Sequence, residues 1–271
     1  MQSSIVYSLL ALTANPYRTA TDPPFYIYLH DKHVDSWLSR TIAETGHLHG
    51  SEEMLLIQTL DVLNASNPGE TIRILDIGAN IGYMSLLFAS RLPLVEIDAF
   101  EPYEKHYKLL RRSVIENRFQ QKIHLHNVLL GNETSQKCMH QDPQNAASTE
   151  VVHSSCSRPH RMFRLDDIVS GYYDLLKIDV EGFEPLVFQG ASSILAYRPQ
   201  FIMMEWIPWR ISRHTTEDPV NFLRTLARTY KIQIAEIPGD DEPTVMNRVD
   251  RWREYLPHGC NLLLTRRASE D

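Results

Sequence analysis

The most informative pattern in the chain is an apolar run that ends in an acid and is followed by two glycines. The run covers Ile72–Asp76, Gly78 and Gly82 stand four positions apart, and apolar residues then recur at helical spacing over Ile81–Phe88. This change of period predicts a buried strand, a tight loop and a helix, which together open a nucleotide-binding α/β unit. The glycines permit a sharp turn and a close approach of a ligand, and the new helix directs its free N–H groups toward that ligand.

Strand-like and helix-like patterns alternate along most of the remaining chain. Their alternation predicts a mainly parallel sheet with helices on both faces. Ligands of such sheets bind beyond the carboxyl ends of the strands. The predicted strands cover residues 72–76, 94–100, 122–127, 175–179, 201–205, 232–237 and 261–265. The polar residues at strand ends, and therefore the first candidates for a site, are Asp76, Glu101, Asn127, Asp179 and Glu205.

Three stretches lack this alternation. Residues 1–50 are rich in Tyr, His and Pro, and they predict either a cover over the ligand site or a packing arm. Residues 51–271 are then expected to form one ligand-binding domain. Residues 132–160 are polar and predict a loop or a mobile insertion. Trp206–His214, which follows the fifth strand, is also predicted to be a loop.

Composition and charge give information about the partners and the cellular location of the protein. The formal net charge is -7 and no basic block occurs, which argues against a nucleic-acid or anionic-membrane partner. The apolar stretch Ile5–Leu12 is too short to span a bilayer and lacks the basic flank of a signal peptide. The cysteines, Cys138, Cys156 and Cys260, are few and unpatterned, so we expect a reducing compartment and a cytoplasmic location.

The glycine spacing and the acid before it discriminate between classes of ligand. Three residues separate Gly78 from Gly82, unlike the Gly-x-Gly-x-x-Gly of dinucleotide-binding proteins, and the Gly-Lys-Ser/Thr of a phosphate loop is absent. Asp76 would repel a pyrophosphate but suits a ligand with an ammonium and a sulfonium, such as S-adenosylmethionine. Glu101 can accept hydrogen bonds from both ribose hydroxyls, and Asn127 either reads an adenine edge or caps its strand. A nicotinamide-dependent oxidoreductase is the alternative, because it would use the same ribose-binding acid.

A second informative stretch, Tyr173–Gly182, contains the fourth predicted strand and the turn after it. Lys177, Asp179 and Glu181 alternate there and so point to the same side. Three charges on one face of a strand end are better explained at a cleft than in a core. There they would orient the cofactor or the substrate, or remove a proton. A buried ion pair between Lys177 and one of the acids is the structural alternative.

Four segments in combination are typical of one family, namely Asp76–Gly82, Phe100–Pro102, Arg164–Asp167 and Leu176–Gly182. On these segments the sequence resembles the FkbM-type family of S-adenosylmethionine-dependent methyltransferases over residues 70–205. The resemblance implies a Rossmann-like α/β fold whose mostly parallel sheet has seven strands, the last of them antiparallel. It also implies methyl transfer to a hydroxyl of a sugar or another small molecule.

The resemblance assigns roles to the two informative stretches. It implies that the loop after the first strand holds the methionine part of S-adenosylmethionine, that Glu101 holds the ribose, and that the acids after the fourth strand line the active site. The cofactor-binding candidates are Asp76, Gly78, Ala79, Asn80, Gly82, Glu101, Pro102 and Asn127, and the catalytic candidates are Asp179, Glu181 and Lys177.

Methyl transfer from a sulfonium needs few protein groups, because positioning and desolvation supply much of the rate. A hydroxyl acceptor must lose its proton. The candidate bases are Asp179, Glu181 and a histidine from a flanking loop, such as His153 or His214.

Several other patterns leave alternatives open. The pairs His47–His49 and Cys138–His140 lack a complete ligand set, so we expect no metal. Trp206 and Trp209 either wall an acceptor pocket or pack in the core. Transfer to a peptide, protein or nitrogen acceptor, and a catalytically inactive binding protein of the same fold, are the alternative functions. The sequence does not indicate the oligomeric state.

Overall fold

The helices and strands follow the apolar patterns through most of the chain. The computed structural model describes residues 15–31, 35, 37–48, 50–142, 145–152, 154–237, 239, 241–255 and 259–268. The first elements are β1 (Tyr17–Arg18), β2 (Tyr26–Ile27), α1 (Leu38–Thr45), α2 (Ser51–Ser66), β3 (Ile72–Ile77), α3 (Tyr83–Arg91), β4 (Val95–Phe100), α4 (Glu104–Glu116), β5 (Ile123–His126) and β6 (Leu129–Leu130). The next are β7 (Ser135–Asp142), β8 (Asn145–Val152), β9 (His160–Phe163), a 3₁₀ turn (Leu165–Asp167), β10 (Leu175–Ile178), α5 (Glu184–Gln189) and α6 (Ser192–Ala196). The last are β11 (Phe201–Trp206), α7 (Pro208–His214), α8 (Pro219–Ala227), β12 (Tyr230–Ile234), α9 (Glu242–Asp250), α10 (Trp252–Tyr255) and β13 (Cys260–Arg266).

A seven-stranded sheet with the order β12–β13–β11–β10–β3–β4–β5 lies at the centre of the fold. The strands from β11 to β5 are parallel to their neighbours, whereas β13 is antiparallel to both β11 and β12. The predicted Rossmann-like fold with an antiparallel last strand is therefore confirmed. The chain extends the sheet from β3 to one side through β4 and β5, and to the other side through β10 and β11. The switch point between β3 and β10 is where this type of sheet forms a ligand-binding crevice.

Alternate side chains of the central strands enter two apolar layers, one on each face of the sheet. Ile72 and Ile74 pack with residues of α2, α3 and α4, whereas Leu75 and Ile77 pack with residues of α5 to α9. A central strand is covered on both faces, so almost every position in it is apolar. The two charged exceptions in β3 are Arg73, which is partly buried, and Asp76, whose acidic side chain is fully buried.

The prediction of a loop or mobile insertion for residues 132–160 is wrong. β7 and β8 form an antiparallel hairpin that joins β9 and β6 in a four-stranded sheet of order β6–β9–β7–β8. Cys138 and Cys156 form a disulfide, so the expectation of reduced cysteines is also wrong for these two. Among the described side chains of the hairpin, Cys138 and Val151 are the buried apolar ones. The hairpin therefore lacks the apolar alternation from which strands are recognised.

The segment after β11 is helical where we expected a loop. Trp206 is the last residue of β11 and is fully buried, and Pro208–His214 form α7. Proline at the start of this segment reads as a helix breaker, but its missing N–H costs nothing in the first turn of a helix. The helices α9 and α10 likewise have no counterpart in the sequence-based prediction.

The part of the N-terminal segment that the structure describes is tied to α4. Tyr26 N–H donates to Asn117 Oδ1 at 2.7 Å, and Tyr28 N–H donates to Ser113 Oγ at 2.9 Å. The boundary near residue 50 stays a prediction. Ile5–Leu12, His49 and His153 lie outside the described residues. Among the helices described, none combines the length and apolar character needed to cross a bilayer.

Candidate functional site

A cavity of about 440 Å³ opens beyond the carboxyl ends of β3, β4, β10 and β11. It lies at the switch point of the sheet, as the fold predicts. The sequence-predicted candidates that line it are Gly78, Ala79, Asn80, Glu101, Pro102, Lys177, Asp179 and Glu181. Asp76, Gly82 and Asn127 are close to these residues in the chain or the sheet but do not belong to the lining.

Both glycines of the loop after β3 have the left-handed backbone that glycine favours. A Cβ atom on Gly78, where φ is 80°, would lie 1.8 Å from the carbonyl oxygen of Asp179. A Cβ atom on Gly82, where φ is 91°, would lie 2.2 Å from Leu110 Cδ1. The glycines are therefore required by packing against β10 and α4, whereas the sequence suggested that they make room for a ligand.

The N–H groups of this loop are largely used within the protein. Gly78 and Ala79 donate to the carbonyl oxygen of Phe100 at 3.0 and 2.9 Å, and Gly82 N–H donates to Ala79 O at 2.8 Å. Asn80 N–H donates to Glu101 Oε2 at 2.9 Å. A phosphate-binding loop instead directs successive N–H groups at its anion. This loop is not arranged as a cradle for a diphosphate.

Glu101 lies in the cavity wall with both carboxylate oxygens anchored. Oε2 accepts the Asn80 N–H, and Oε1 accepts the Tyr103 N–H at 2.7 Å. Each carboxylate oxygen keeps a second lone pair, so Glu101 can still accept hydrogen bonds from a diol in the cavity. Asn127 Nδ2 donates to the carbonyl oxygens of Glu101 and Pro102 at 2.8 and 3.1 Å. Of the two roles left open for Asn127, this geometry is that of a strand cap.

Beneath the loop, Asp76 and Lys177 form a buried charged pair. Ser85 Oγ donates to Asp76 Oδ2 at 2.5 Å, and Lys177 Nζ lies 3.8 Å from Asp76 Oδ1. Burial raises the pKa of Asp76. Lys177 Nζ also donates to the Gly78 carbonyl at 3.1 Å and lies 3.3 Å from Asp179 Oδ2. Asp76 therefore holds Lys177 in place from below.

The environment of Lys177 keeps its ammonium group charged. Burial opposes the charge, but attraction to Asp179, Asp76 and Glu52 outweighs it, so the pKa of Lys177 is raised. A protonated lysine has three donors and no acceptor. Lys177 can therefore orient Asp179 but cannot take a proton from a substrate.

The turn after β10 is held by a buried acid. Glu184, which is 1% exposed, accepts the N–H groups of Val180 and Gly182 at 3.1 and 3.2 Å. Burial raises the pKa of Glu184 to about 7. Glu181 has a left-handed backbone, with φ of 58°, and its carboxylate pairs with the guanidinium of Arg210. These contacts fix the side chains that the turn presents to the cavity.

On the far side of the cavity, sequence reasoning identified Glu205 as a strand-end candidate and missed the other polar residues. Glu52 from α2, Glu205 from β11, Arg210 from α7, Glu236 after β12 and Asn261 from β13 all belong to the lining. Asn261 Nδ2 lies 3.1 Å from Glu236 Oε1 and 3.5 Å from Glu52 Oε2. The position of Glu205 at a strand end was a usable signal, whereas no local pattern marks the others.

The hairpin and the N-terminal segment complete the walls. Tyr103 Oη donates to Gln141 Oε1 at 2.9 Å, and Arg213 Nη1 lies 3.3 Å from Glu150 Oε2, so the hairpin is tied to the segments on both sides of the cavity. The lining residues from these two regions are Trp37, Leu38, Leu48, Met139, Thr149 and Val151.

The remaining sequence candidates lie elsewhere. His214, Trp206 and Trp209 are absent from the cavity lining, and Trp206 is part of the core. Cys138 is bonded to another cysteine, so it is not available to ligate a metal together with His140. Within the described ranges, no group of histidines, cysteines and acids is arranged to hold a metal ion.

Comparison with known proteins gives a family and a set of similar folds. The sequence profile of the FkbM methyltransferase domain matches residues 76–258. No curated protein matches the chain by sequence. A structure of methyltransferase FkbM from Methylobacillus flagellatus KT is similar at 16% identity and a TM-score of 0.47, with 87% of this chain and 62% of that chain covered.

Two further structures have the same kind of similarity. A SAM-dependent methyltransferase from Agrobacterium tumefaciens gives 8% identity and a TM-score of 0.43, with 71% of this chain and 53% of that chain covered. Precorrin-6y C5,15-methyltransferase from Geobacter metallireducens GS-15 gives 15% identity and a TM-score of 0.40, with 67% and 74% covered. The chain spans less than two thirds of the length of the Methylobacillus and Agrobacterium proteins.

Proposed function

Because the chain belongs to the FkbM methyltransferase domain family, we propose that it transfers a methyl group from S-adenosylmethionine to a hydroxyl of a small molecule or sugar. The observation that carries this proposal is the position of Glu101. Its anchored carboxylate faces the cavity beside a loop whose N–H groups already have partners within the protein. That combination suits the diol of an adenosine and offers little to a diphosphate.

The residues around the cavity fit the parts of this cofactor. Glu101 and Pro102 would border the ribose, and the backbone of Gly78, Ala79 and Asn80 would border the methionine part. Asp76 would not contact the cofactor. It contributes to the site indirectly, because it positions the ammonium group of Lys177 from beneath the loop. A nicotinamide-dependent oxidoreductase fits less well, because its pyrophosphate would meet a loop with few unused donors.

The bound cofactor supplies an activated methyl group, which moves to the acceptor oxygen as a C–O bond forms, the C–S bond breaks and its electron pair stays on sulfur. The chain's own residues position the acceptor and receive its proton. We assign the proton to Asp179, which lines the cavity and whose Oδ2 lies 3.3 Å from Lys177 Nζ. Both acids are paired with a cation, but the side chain of Asp179 is 39% exposed and that of Glu181, against Arg210, is 20% exposed, so Asp179 is the more accessible base.

A small-molecule acceptor agrees with the charge of the protein. The net charge is -7 and the far side of the cavity is rich in carboxylates, both of which disfavour the phosphate backbone of a nucleic acid. The cytoplasmic location stays a prediction. The Cys138–Cys156 disulfide weighs against it, because disulfides are rare in reducing compartments.

Isothermal titration of S-adenosylhomocysteine and of NAD against the protein tests the cofactor. We expect S-adenosylhomocysteine to bind and NAD not to bind. Glu101→Ala should weaken S-adenosylhomocysteine binding by about 1–3 kcal/mol, the size of lost charge-assisted hydrogen bonds. Glu104→Ala is the matched control, because Glu104 is an exposed acid in the following helix and does not line the cavity.

Three outcomes would contradict the proposal. Binding of NAD alone would identify an oxidoreductase or a dinucleotide-binding protein. Equal effects of the Glu101 and Glu104 variants would place the ribose elsewhere. Binding of S-adenosylhomocysteine without any labelled methyl transfer to small molecules or macromolecules would identify an inactive binding protein.

A further inference from the structure

The half of the cavity beyond β10 is lined by carboxylates that come from separate elements. Glu205 lies near the end of β11, Glu236 follows β12, and Glu52 extends from α2. Asn261 of β13 links two of them, because its side-chain amide lies 3.1 Å from Glu236 Oε1 and 3.5 Å from Glu52 Oε2. We call Glu52, Glu205 and Glu236 the acceptor-side carboxylates.

The lysine and the arginine in the cavity lining are paired with other acids. Lys177 Nζ lies 3.8 Å from Asp76 Oδ1 and 3.3 Å from Asp179 Oδ2. The guanidinium of Arg210 pairs with Glu181. Within the part of the chain that the structure describes, no salt bridge reaches the acceptor-side carboxylates. When these acids ionise, they therefore have no direct cationic partner there.

The side chain of Glu205 indicates independently that this part of the cavity binds a ligand. Its Oε2 atom is fully buried and has no hydrogen-bond partner among the described residues, and the side chain faces the cavity. Buried polar atoms in proteins are nearly always hydrogen-bonded, so an orphaned oxygen in a cavity wall marks a position for a donor. Burial, followed by repulsion from Asp179 and Glu184, raises the pKa of Glu205 well above its usual value, so this carboxyl group tends to hold its proton until a bound cation favours its ionisation. Burial and the charge of Asp179 likewise raise the pKa of Glu52 to about 7.

The proposed cofactor does not account for these carboxylates. S-adenosylmethionine carries a sulfonium, an ammonium and a carboxylate, so its net charge is a single positive unit. It would lie over β3 and β4, where Glu101 and the glycine loop are. Glu205 stands on β11, two strand positions from β3 and so roughly 10 Å away, and β12 is farther along the same side of the sheet.

We propose that the acceptor carries a protonated amine, and that Glu205, Glu236 and Glu52 bind this ammonium group while the acceptor hydroxyl faces Asp179. The proposal rests on the proposed methyl transfer and names its acceptor class as amino alcohols and amino sugars. An ammonium group has three donors, which matches three carboxylates converging from different elements. An acceptor with a carboxylate or phosphate at this position would be repelled.

The test uses the full chain, S-adenosylmethionine labelled in its methyl group, and the small-molecule fraction of a cell extract as the probe. One portion of the extract is treated with acetic anhydride in aqueous bicarbonate, which converts amines to neutral amides and leaves hydroxyls free, and one portion is mock-treated. We expect labelled product from the mock-treated extract to bind a cation exchanger at pH 6 and to carry its label on oxygen. Acetylation should remove most of the transfer.

Each other outcome is decisive. Labelled product that is neutral or anionic, or transfer that survives acetylation, overturns the amine while leaving the proposed methyl transfer intact. A label on nitrogen also overturns the proposal, because the nucleophile would then be the neutral amine and not a bound ammonium. Absence of any labelled product, with S-adenosylhomocysteine still bound, overturns the proposed methyl transfer and this inference with it.

Variants of these acids show whether they bind the amine of the acceptor or the cofactor. Glu205→Gln and Glu236→Gln keep the side-chain shape and remove one charge. Each should raise KM for the purified acceptor by roughly tenfold to a hundredfold, the range for a charge-assisted hydrogen bond. The affinity for S-adenosylhomocysteine should change less than twofold. Glu217→Gln, at an exposed acid outside the cavity, is the control. An equal loss of S-adenosylhomocysteine affinity would assign the carboxylates to the cofactor and overturn the proposal.

Discussion

At the scale of single residues, the contact between Gly78 and Asp179 joins the two informative stretches of the sequence. The space that a Cβ on Gly78 would need is occupied by the carbonyl oxygen of Asp179. The loop after β3 and the turn after β10 are therefore packed directly against each other. A change at Gly78 moves an active-site candidate that lies about a hundred residues later in the chain.

Gly78→Ala should destabilise the protein and weaken S-adenosylhomocysteine binding. Gly69→Ala is the matched control, because Gly69 has the same φ of 80° but has no atom within 4 Å of a Cβ built on it. The left-handed backbone alone should cost about 1–2 kcal/mol in both variants. The clash with Asp179 should add about 1–3 kcal/mol to the Gly78 variant. Urea unfolding measures the difference, and equal losses would show that the contact is unimportant.

The sequence predicted which residues lie near the site more readily than it predicted where their side chains point. Glu101 was located from its position at the end of a strand, and the structure places it in the cavity wall. Asp76 ends the same kind of apolar run, but its side chain is buried beneath the loop and bonded to Ser85. A strand pattern gives the alternation of side chains and not which of the two faces meets the ligand. The structure was therefore needed to show which way each of these side chains points.

At the scale of elements, prediction succeeded where burial produces a strong apolar pattern. β3, β4, β10 and β11 are covered on both faces and are mainly apolar, with one or two charged residues in each. The hairpin Ser135–Val152 was not predicted, because most of its side chains are polar. Its stability comes from neighbouring strands, the Cys138–Cys156 disulfide and contacts with other elements. None of these can be read from local sequence.

Replacing both Cys138 and Cys156 by Ser should loosen the cavity wall and leave the central sheet intact. The disulfide closes a short loop of sequence separation 18, and such a link contributes about 3 kcal/mol in the chain-entropy model. Since Met139 and Val151 of this hairpin line the cavity, we expect KM for the acceptor to rise severalfold. The measurement compares acceptor KM with the Kd of S-adenosylhomocysteine.

Reduction of the unmodified protein provides the control for that prediction. A thiol reductant should reproduce the rise in KM in the parent protein and should have no effect on the double serine variant. A reductant effect in the variant would point to Cys260 or to another cause. An unchanged KM in both proteins would show that the hairpin keeps its place without the disulfide.

At the scale of the whole molecule, the stability of the protein should depend on pH through its buried acids. Glu184 has a folded-state pKa of about 7 against an ordinary value of 4.5. The folded state therefore binds this proton more tightly than the unfolded state does. Its contribution is present below pH 4.5 and is lost as the pH rises to about 7.

Glu184→Gln should flatten that decline. Glutamine keeps an acceptor oxygen for the N–H groups of Val180 and Gly182 and has no charge to bury. Relative to the parent, the variant should gain up to about 3 kcal/mol of unfolding free energy between pH 4 and pH 8, at about 1.4 kcal/mol for each unit of pKa shift. Urea unfolding at several pH values measures this gain. Glu217→Gln is the control, and parallel curves for all three proteins would contradict the assignment.

The acceptor side of the cavity could not be predicted as a unit, because its residues come together only in the folded molecule. Glu52, Glu205, Glu236 and Asn261 are brought together from a helix, two strand ends and the last strand of the sheet. Glu205 was marked by its place at a strand end, whereas each of the other three, taken alone, is an ordinary polar residue at the edge of an element. Sequence patterns with periods of two or 3.6 residues carry no information about such distant partners.

The position of β13 imposes an order on the assembly of this cavity. β13 enters the sheet between β11 and β12, and among the described strands β12 pairs with β13 alone. As the chain emerges from the ribosome, β3, β4, β10 and β11 can pair before residue 260 has been synthesised. β12 and the wall that carries Glu236 and Asn261 have to wait for it. A newly made chain therefore completes the surface that we propose for the adenosine before the surface that we propose for the acceptor.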